Sequence, residues 1–334
     1  MFRGRLRVKA AAVAVVAAVL PLALIGCGPR PNVAEDWPDK PGPKVAVSFA
    51  PLYCFAANVA GDDATVRNIM SGTGPHDFNP TEQEARRVAK ADLFFVVGLG
   101  LDEGKAEQMK KGSGNANLKV IELGERLPKG MLCEGTCTHE EHQGEKGHEG
   151  HDHGFDPHLW LSPDHAAKMV EVIRDELIQA DPAHKDGYER RAAEYVAKLK
   201  QLIADGLAML KGKKDNRLIT FHDSLAYFAD CFKLEIRGVL TKTPGQEPTE
   251  AEMKKLIRIC TDEHKPTRLI AVEPQYSTST SGETLRKELA AKGVENPQLA
   301  EIDTLETVKP GDLTPDWYEQ RMRANLAELA GKMK

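Results

Sequence analysis

The sequence predicts an α/β protein with two lobes, each built on a mostly parallel sheet flanked by helices. One long backbone helix joins the two lobes. Short apolar runs alternate with helical patterns in both halves of the chain, and a long helical stretch separates the halves. With 334 residues, 41% of them hydrophobic, the chain has enough apolar material for two cores. Its formal net charge of −5 gives no indication of a nucleic-acid partner.

The N-terminus has the pattern of an export signal, which we assign to residues 1–26. Basic residues precede an apolar run over residues 10–25, and residues 24–27 resemble a bacterial lipobox. We expect cleavage before Cys27, lipid attachment to this cysteine, and an exported protein anchored to a membrane. A transmembrane anchor is the alternative, but the run is shorter than the ~20 residues that a span needs. Residues 27–43 are rich in proline, glycine and aspartate and predict a flexible tether.

Residues 44–180 are assigned to the N-terminal lobe. Three apolar runs have the length and composition of buried parallel strands: Lys44–Phe49, Asp92–Val97 and Leu118–Leu123. Thr81 and Glu84 form a capping-box pattern that predicts the start of a helix. A helical pattern over residues 163–180 closes the lobe. The following stretch, residues 181–212, is rich in strong helix formers and is assigned to the linking helix.

Residues 213–334 repeat the alternation and are assigned to the C-terminal lobe. Four runs predict strands: Arg217–Phe221, Leu234–Leu240, Arg268–Val272 and Gln298–Ile302. Thr249 and Glu252 form a second capping-box pattern. Thr314 and Pro315 predict the start of the last helix, since proline is favoured in a first helical turn.

A polar segment without periodicity, residues 124–157, interrupts the first lobe. It is rich in histidine and glutamate, and such tracts bind Zn²⁺ and similar ions. Its histidines are possible auxiliary metal ligands: His139, His142, His148, His151 and His153. Fixing so long a loop costs conformational entropy, so we do not expect it to form the tight site alone.

Four other residues predict a core metal site. His76 lies in a Gly/Pro loop, His158 lies where the long loop ends, and His222 follows a predicted strand directly. Asp303 follows another strand, and ligands of open α/β sheets bind beyond the carboxyl ends of strands. Three imidazoles and one carboxylate complete a tetrahedral shell for Zn²⁺. Glu273, also at a strand end, is an alternative or auxiliary ligand. The remaining histidines are expected at the surface: His165, His184 and His264.

These motifs carry a family resemblance over nearly all of the mature chain. They are Pro75-His76-Asp77-Phe78, the acidic histidine-rich insertion, His158-Leu159-Trp160-Leu161-Ser162-Pro163, Phe221-His222-Asp223-Ser224, Glu273-Pro274-Gln275-Tyr276 and Asp303. The chain resembles the metal-binding solute-binding lipoproteins of bacterial ABC importers, the cluster A-I family, and most of all their zinc-uptake members.

The resemblance implies two lobes that hold one metal ion, with His76, His158 and His222 as ligands and Asp303 at the fourth position. The family often follows this aspartate with Pro-Leu-Gly, whereas residues 304–306 of this chain are Thr-Leu-Glu, so Glu273 or water remain alternatives. Histidine at the third position is typical of zinc binders. The resemblance further implies a monomer that delivers zinc to an ABC permease with a separate ATPase subunit.

Alternative functions follow from the same residues. The same receptor fold could serve Mn²⁺ or Fe²⁺, although His222 favours zinc. A surface zinc buffer or adhesin without a transport role is a second alternative. An exported zinc hydrolase is a third, but the chain has neither a His-Glu-x-x-His nor a Gly-x-Ser-x-Gly motif. We therefore predict that the protein is not an enzyme.

Overall fold

The strands of the first half form one parallel sheet in the order β2-β1-β3-β4. They are β1 (Lys44–Val47), β2 (Thr65–Asn68), β3 (Leu93–Val96) and β4 (Lys119–Glu122). The structure is a computed structural model that describes residues 1, 37–133, 154–241, 246–276, 279–309 and 311–334. The central strand β3 is fully buried, as its unbroken apolar run predicts for a parallel sheet covered on both faces.

A second parallel sheet of the same topology follows, in the order β6-β5-β7-β8. Its strands are β5 (Arg217–Thr220), β6 (Glu235–Val239), β7 (Leu269–Val272) and β8 (Gln298–Glu301). In this sheet the chain order reverses between β5 and β7, and in the first between β1 and β3. Ligands of open α/β sheets bind beyond the carboxyl ends of strands at such points. The predicted fold class is confirmed.

Nine α-helices flank the sheets within the described ranges. They are α1 (Ala50–Ala60), α2 (Glu82–Val88), α3 (Glu103–Ser113), α4 (Pro163–Ala180), α5 (Lys185–Leu210), α6 (Ala226–Phe232), α7 (Glu250–Cys260), α8 (Ser281–Ala291) and α9 (Trp317–Lys332). Both predicted capping boxes are present, Thr81 with Glu84 before α2 and Thr249 with Glu252 before α7. None of these helices combines the length and apolar character that a membrane span requires.

The long helix α5 joins the two halves. Its 26 residues reach about 39 Å at the usual helical rise. It packs against α1 and α4 of the first half and against α6 and α9 of the second. A short 3₁₀ turn, Pro182–His184, precedes it, so the helical stretch predicted over residues 181–212 is divided at its start.

One hydrophobic core runs through both halves. It includes Phe95 of the first sheet, Leu269 of the second and Trp317 of α9. A second, smaller core lies between the second sheet and α7 and α8, around Ile219 and Leu256. The whole segment Trp37–Lys334 is therefore one compact unit.

Three details differ from the sequence-based expectations. Trp37 is buried and its indole N–H donates to the Arg87 carbonyl, so the expected tether over residues 27–43 ends by this residue. His165 is buried rather than at the surface, and its Nε2 hydrogen-bonds the Met131 carbonyl. The last helix begins at Trp317 rather than at Thr314.

The export signal, the lipidation site Cys27 and most of the histidine-rich segment lie outside the described residues. The same is true of the auxiliary ligands expected in that segment: His139, His142, His148, His151 and His153. They stay predictions.

Candidate metal centre

Four side chains converge at the carboxyl ends of the strands. His76 comes from the loop between β2 and α2, and His158 immediately precedes the 3₁₀ turn Leu159–Leu161. His222 lies two residues beyond the end of β5, and Glu306 lies in the loop after β8. One ligand-type atom of each lies within 4.8 Å of those of the other three, and within the described residues this is the group that could hold a metal ion. Each half of the chain thus supplies two members.

The ligand-type atoms have separations suited to a small cation. The Nε2 atom of His158 lies 3.1 Å from that of His76 and 3.4 Å from that of His222. Glu306 Oε1 lies 3.8 to 4.0 Å from the three Nε2 atoms. Tetrahedral ligands at 2.0–2.1 Å from Zn²⁺ would lie about 3.3 Å from one another. The cluster is therefore close to this size and slightly wider on the carboxylate side.

In two of the imidazoles a carboxylate lies next to Nδ1, the ring nitrogen that is not part of the cluster. His158 Nδ1 lies 2.7 Å from Asp156 Oδ1, and His222 Nδ1 lies 2.5 Å from Glu273 Oε1. A carboxylate accepts a hydrogen bond, so Nδ1 carries the proton and Nε2 presents its lone pair to the cluster. Such carboxylate–histidine pairs fix ring orientation and raise ligand basicity at metal sites.

Lone pairs at these separations repel unless a cation or a proton lies between them. Burial lowers the pKa of His158, but the neighbouring charge and hydrogen bond of Asp156, aided by Glu306 and Glu273, outweigh it, and the net pKa is raised. Burial, together with the other two imidazoles and Lys105, lowers the pKa of His76 to about 3. The charges around the cluster therefore favour the binding of one positive charge, while His76 stays neutral.

Glu306 supplies the negative charge of the cluster. It is almost fully buried, and its Oε1 atom has no hydrogen-bond partner within the described part of the chain. Burial raises its pKa, because an isolated buried carboxylate is costly to ionise. A metal ion bound by the three histidines would compensate this charge directly.

Within the described residues, His76 is the most exposed histidine of the cluster. His158 and His222 are buried, whereas 26% of the His76 side chain is exposed. Lys105 of α3 holds the His76 loop, since its Nζ donates to the carbonyls of Pro75 at 2.6 Å and Leu101 at 3.1 Å. The exposed edge of His76 therefore marks where an ion would enter.

The structure brings a different carboxylate to the cluster from the fourth ligand expected from the sequence. Asp303 is not among the converging residues, and its Oδ1 accepts a hydrogen bond from the Leu305 N–H at 2.8 Å. Glu273, the alternative ligand, instead hydrogen-bonds Nδ1 of His222, on the side of the ring away from the cluster. Glu306 was missed, although a visible feature pointed to it: a carboxylate stands where the family often has glycine, three residues after Asp303.

Two parallel sheets, a long connecting helix and a buried cluster supplied equally by both halves define the class of protein. It has the two-lobed α/β fold found in solute-binding proteins. Its relatives are consistent with this class.

Residues 45–332 match the family model described as zinc-uptake complex component A, periplasmic. The zinc-binding protein AdcA of Streptococcus pyogenes is 30% identical over 298 residues, which cover 86% of this chain and 55% of the relative. The chain thus spans about half the length of this curated relative. The high-affinity zinc uptake system protein ZnuA of Bacillus subtilis is 31% identical, over 74% of this chain and 76% of the relative.

Among solved structures, the solute-binding protein FpvC of Pseudomonas aeruginosa in complex with Ni²⁺ superimposes with a TM-score of 0.71. The two chains are 26% identical, and the match covers 87% of this chain and 97% of that one. The chain therefore belongs to the family of the zinc-uptake complex component A.

Proposed function

We propose that this protein is an extracytoplasmic receptor that binds Zn²⁺ with high affinity and delivers it to an ABC importer. The ion is held by His76, His158, His222 and Glu306. The observation that carries the proposal is the arrangement of three Nε2 atoms and one unpartnered, buried carboxylate oxygen around a common point. Nothing in the set calls for a reaction, so we propose binding and release rather than catalysis.

The ligand chemistry favours zinc over manganese. Imidazole is a good ligand for zinc, copper, iron and nickel, whereas Mn²⁺ prefers oxygen ligands. Three of the four ligands are imidazoles, and two of these, His158 and His222, are buried. The zinc-binding relatives named above support the same choice.

Delivery requires partners that lie beyond this chain. We propose that a permease with a separate ATPase subunit receives the ion, and that the receptor acts as a monomer. The lipobox pattern ending at Cys27 supports attachment to a membrane by acyl chains, and the histidine-rich segment would gather zinc or shield the core site.

The test is metal titration of the parent chain, of His222→Ala and of the control His264→Ala. His264 is an exposed histidine far from the carboxyl ends of the strands. Zn²⁺ and Mn²⁺ are titrated in competition with a chelator of known affinity. We expect one tight zinc site that His222→Ala weakens at least a hundredfold and that His264→Ala leaves unchanged.

Two results would contradict the proposal. Weak, multiple zinc sites that are indifferent to His222→Ala would mean that the cluster is structural, and a zinc buffer would be the better interpretation. A site that prefers Mn²⁺ to Zn²⁺ would make the protein a receptor for a different ion.

A further inference from the structure

The turn between Asp303 and Glu306 has an unusual backbone. Leu305 has a φ of +62°, in the left-handed region that residues other than glycine, asparagine and aspartate seldom adopt. The Leu305 side chain is fully buried, so the turn is part of the packed structure. Such a conformation costs free energy and persists only where the surroundings enforce it.

The Asp303 side chain stabilises this backbone conformation of Leu305 by a local hydrogen bond. Its Oδ1 atom accepts a hydrogen bond from the Leu305 N–H at 2.8 Å, which closes a side-chain turn two residues long. Its own backbone is fixed by Asn325 of α9, whose Nδ2 donates to the Asp303 carbonyl at 2.7 Å and whose Oδ1 accepts from the Asp303 N–H at 2.9 Å. The Asp303 side chain is therefore engaged in shaping the turn.

The next residue is held as well. The Thr304 carbonyl accepts a hydrogen bond from the Trp160 indole N–H at 2.8 Å, and its hydroxyl accepts one from the Gln275 amide. With residues 303 to 305 fixed in this way, the chain delivers the Glu306 side chain directly to the three imidazoles.

We propose that Asp303 is a positioning residue of the metal site: it enforces the left-handed turn at Leu305 and so places the carboxylate of Glu306 against the ion. It acts through Glu306 and does not itself contact the ion. This inference rests on the proposed function, because it assigns a role within the same site. It also explains how a chain with Thr-Leu-Glu after the aspartate keeps one carboxylate in the cluster.

The test uses four variants of the otherwise unchanged chain: Asp303→Ala, Asp303→Asn, Glu306→Ala and the double variant Asp303→Ala/Glu306→Ala. Zinc affinity is measured by chelator competition, and the thermal unfolding midpoint of the metal-free protein is measured in parallel. Asparagine keeps an oxygen that accepts from the Leu305 N–H but is a poor ligand for zinc. Asp312→Ala, at an exposed carboxylate of the same loop, is the matched control.

We expect Asp303→Ala to weaken zinc binding at least tenfold, and Asp303→Asn to stay within about threefold of the parent. In the Glu306→Ala background, Asp303→Ala should cost no more than a further twofold, because two residues that act through one contact are not additive. The Asp312→Ala control should bind like the parent.

Additive losses in the double variant would overturn the inference and make Asp303 an independent ligand. Loss of zinc affinity in Asp303→Asn without a change in the unfolding midpoint would overturn it too, and this variant decides the matter if the alanine variant does not fold. A shift in unfolding midpoint with unchanged affinity in Asp303→Ala would leave only a structural role, again contrary to the proposal. His222→Ala distinguishes a failure of the proposed function from a failure of the role inferred for Asp303. If this variant binds zinc as tightly as the parent, the proposed function itself has failed.

Discussion

The Nδ1 atom of His222 lies 2.5 Å from Oε1 of Glu273, a residue at the end of the neighbouring strand. The same oxygen lies 3.3 Å from the His222 backbone N–H, and the second oxygen of Glu273 accepts from the Gln275 amide at 2.9 Å. The imidazole is thus fixed in both orientation and tautomer by an acceptor that faces away from the cluster. The adjacency of β5 and β7 in the second sheet brings the two residues together.

Replacing this carboxylate with Glu273→Gln should weaken zinc binding by roughly 10- to 100-fold, the usual effect of losing such a partner. The substitution removes the negative charge behind His222 and brings the glutamine NH₂ group against the NH₂ of Gln275. Chelator competition measures the effect. Glu263→Gln, at an exposed position, is the control and should change nothing. Equal affinities in the two variants would show that Glu273 does not tune the ligand.

Zinc affinity should fall as the pH falls. The pKa of His158 is raised above its ordinary value of 6.5, so in the metal-free protein this imidazole takes up a proton at a higher pH than a free histidine. A protonated imidazole cannot bind a metal, so below that pKa affinity should fall about tenfold per pH unit. His76 adds nothing in this range, because its pKa is lowered to about 3. Competition titrations from pH 8 to pH 5.5 measure the slope. A flat profile would contradict this assignment.

Lys105→Met should weaken zinc binding about tenfold. The substitution keeps the apolar stem but leaves the carbonyls of Pro75 and Leu101 without their donor, so the loop that carries His76 loosens. Removing a positive charge would act in the opposite direction, but three carboxylates already offset that charge: Asp77, Asp102 and Glu103. The control is Lys111→Met on the exposed face of the same helix. Affinity equal to or above that of the parent would mean that repulsion dominates.

Gly206→Ala should destabilise the protein through the long helix α5. A Cβ atom at this position would lie 2.5 Å from Phe232 Cε1 and 2.8 Å from Leu326 Cδ1. We expect a loss of about 1–3 kcal/mol in the free energy of unfolding, more than the helix propensity of alanine restores. Gly104→Ala in α3 has open space around it and should instead stabilise by about 0.4–1 kcal/mol. Urea unfolding measures both, and shifts of the same sign would refute the packing argument.

Elements with a complete local signature could be predicted from the sequence. The capping boxes at Thr81 and Thr249 begin helices as expected, because their hydrogen bonds involve residues only three apart. The strand β2 was not predicted, since Thr65–Asn68 is short, half-buried and half polar, without an apolar run to mark it. The burial of Trp37 also has no local cause, because its partner Arg87 lies 50 residues away.

The candidate site likewise contains residues that the sequence indicates and one whose place depends on the folded backbone. His76, His158 and His222 could be chosen from the sequence because each sits in a recognisable motif, and His222 follows a predicted strand directly. Glu306 is harder to choose: the sequence shows a carboxylate three residues after Asp303, but its place at the cluster depends on the left-handed backbone of Leu305, which leucine does not indicate. Asp303 was chosen for its chemistry as a ligand, whereas its hydrogen bond to the Leu305 N–H gives it a different task.

The last helix of the chain completes the first lobe. The Tyr318 ring on α9 lies 4.9 Å from that of Phe55 on α1, its hydroxyl donates to the Trp160 carbonyl, and Asn58 donates to the Pro315 carbonyl. A fragment that ended before α9 would therefore expose the apolar face of α1 to water. The first half of the chain gains these contacts only after α9 has been synthesised, so part of its core is supplied by the far end of the sequence.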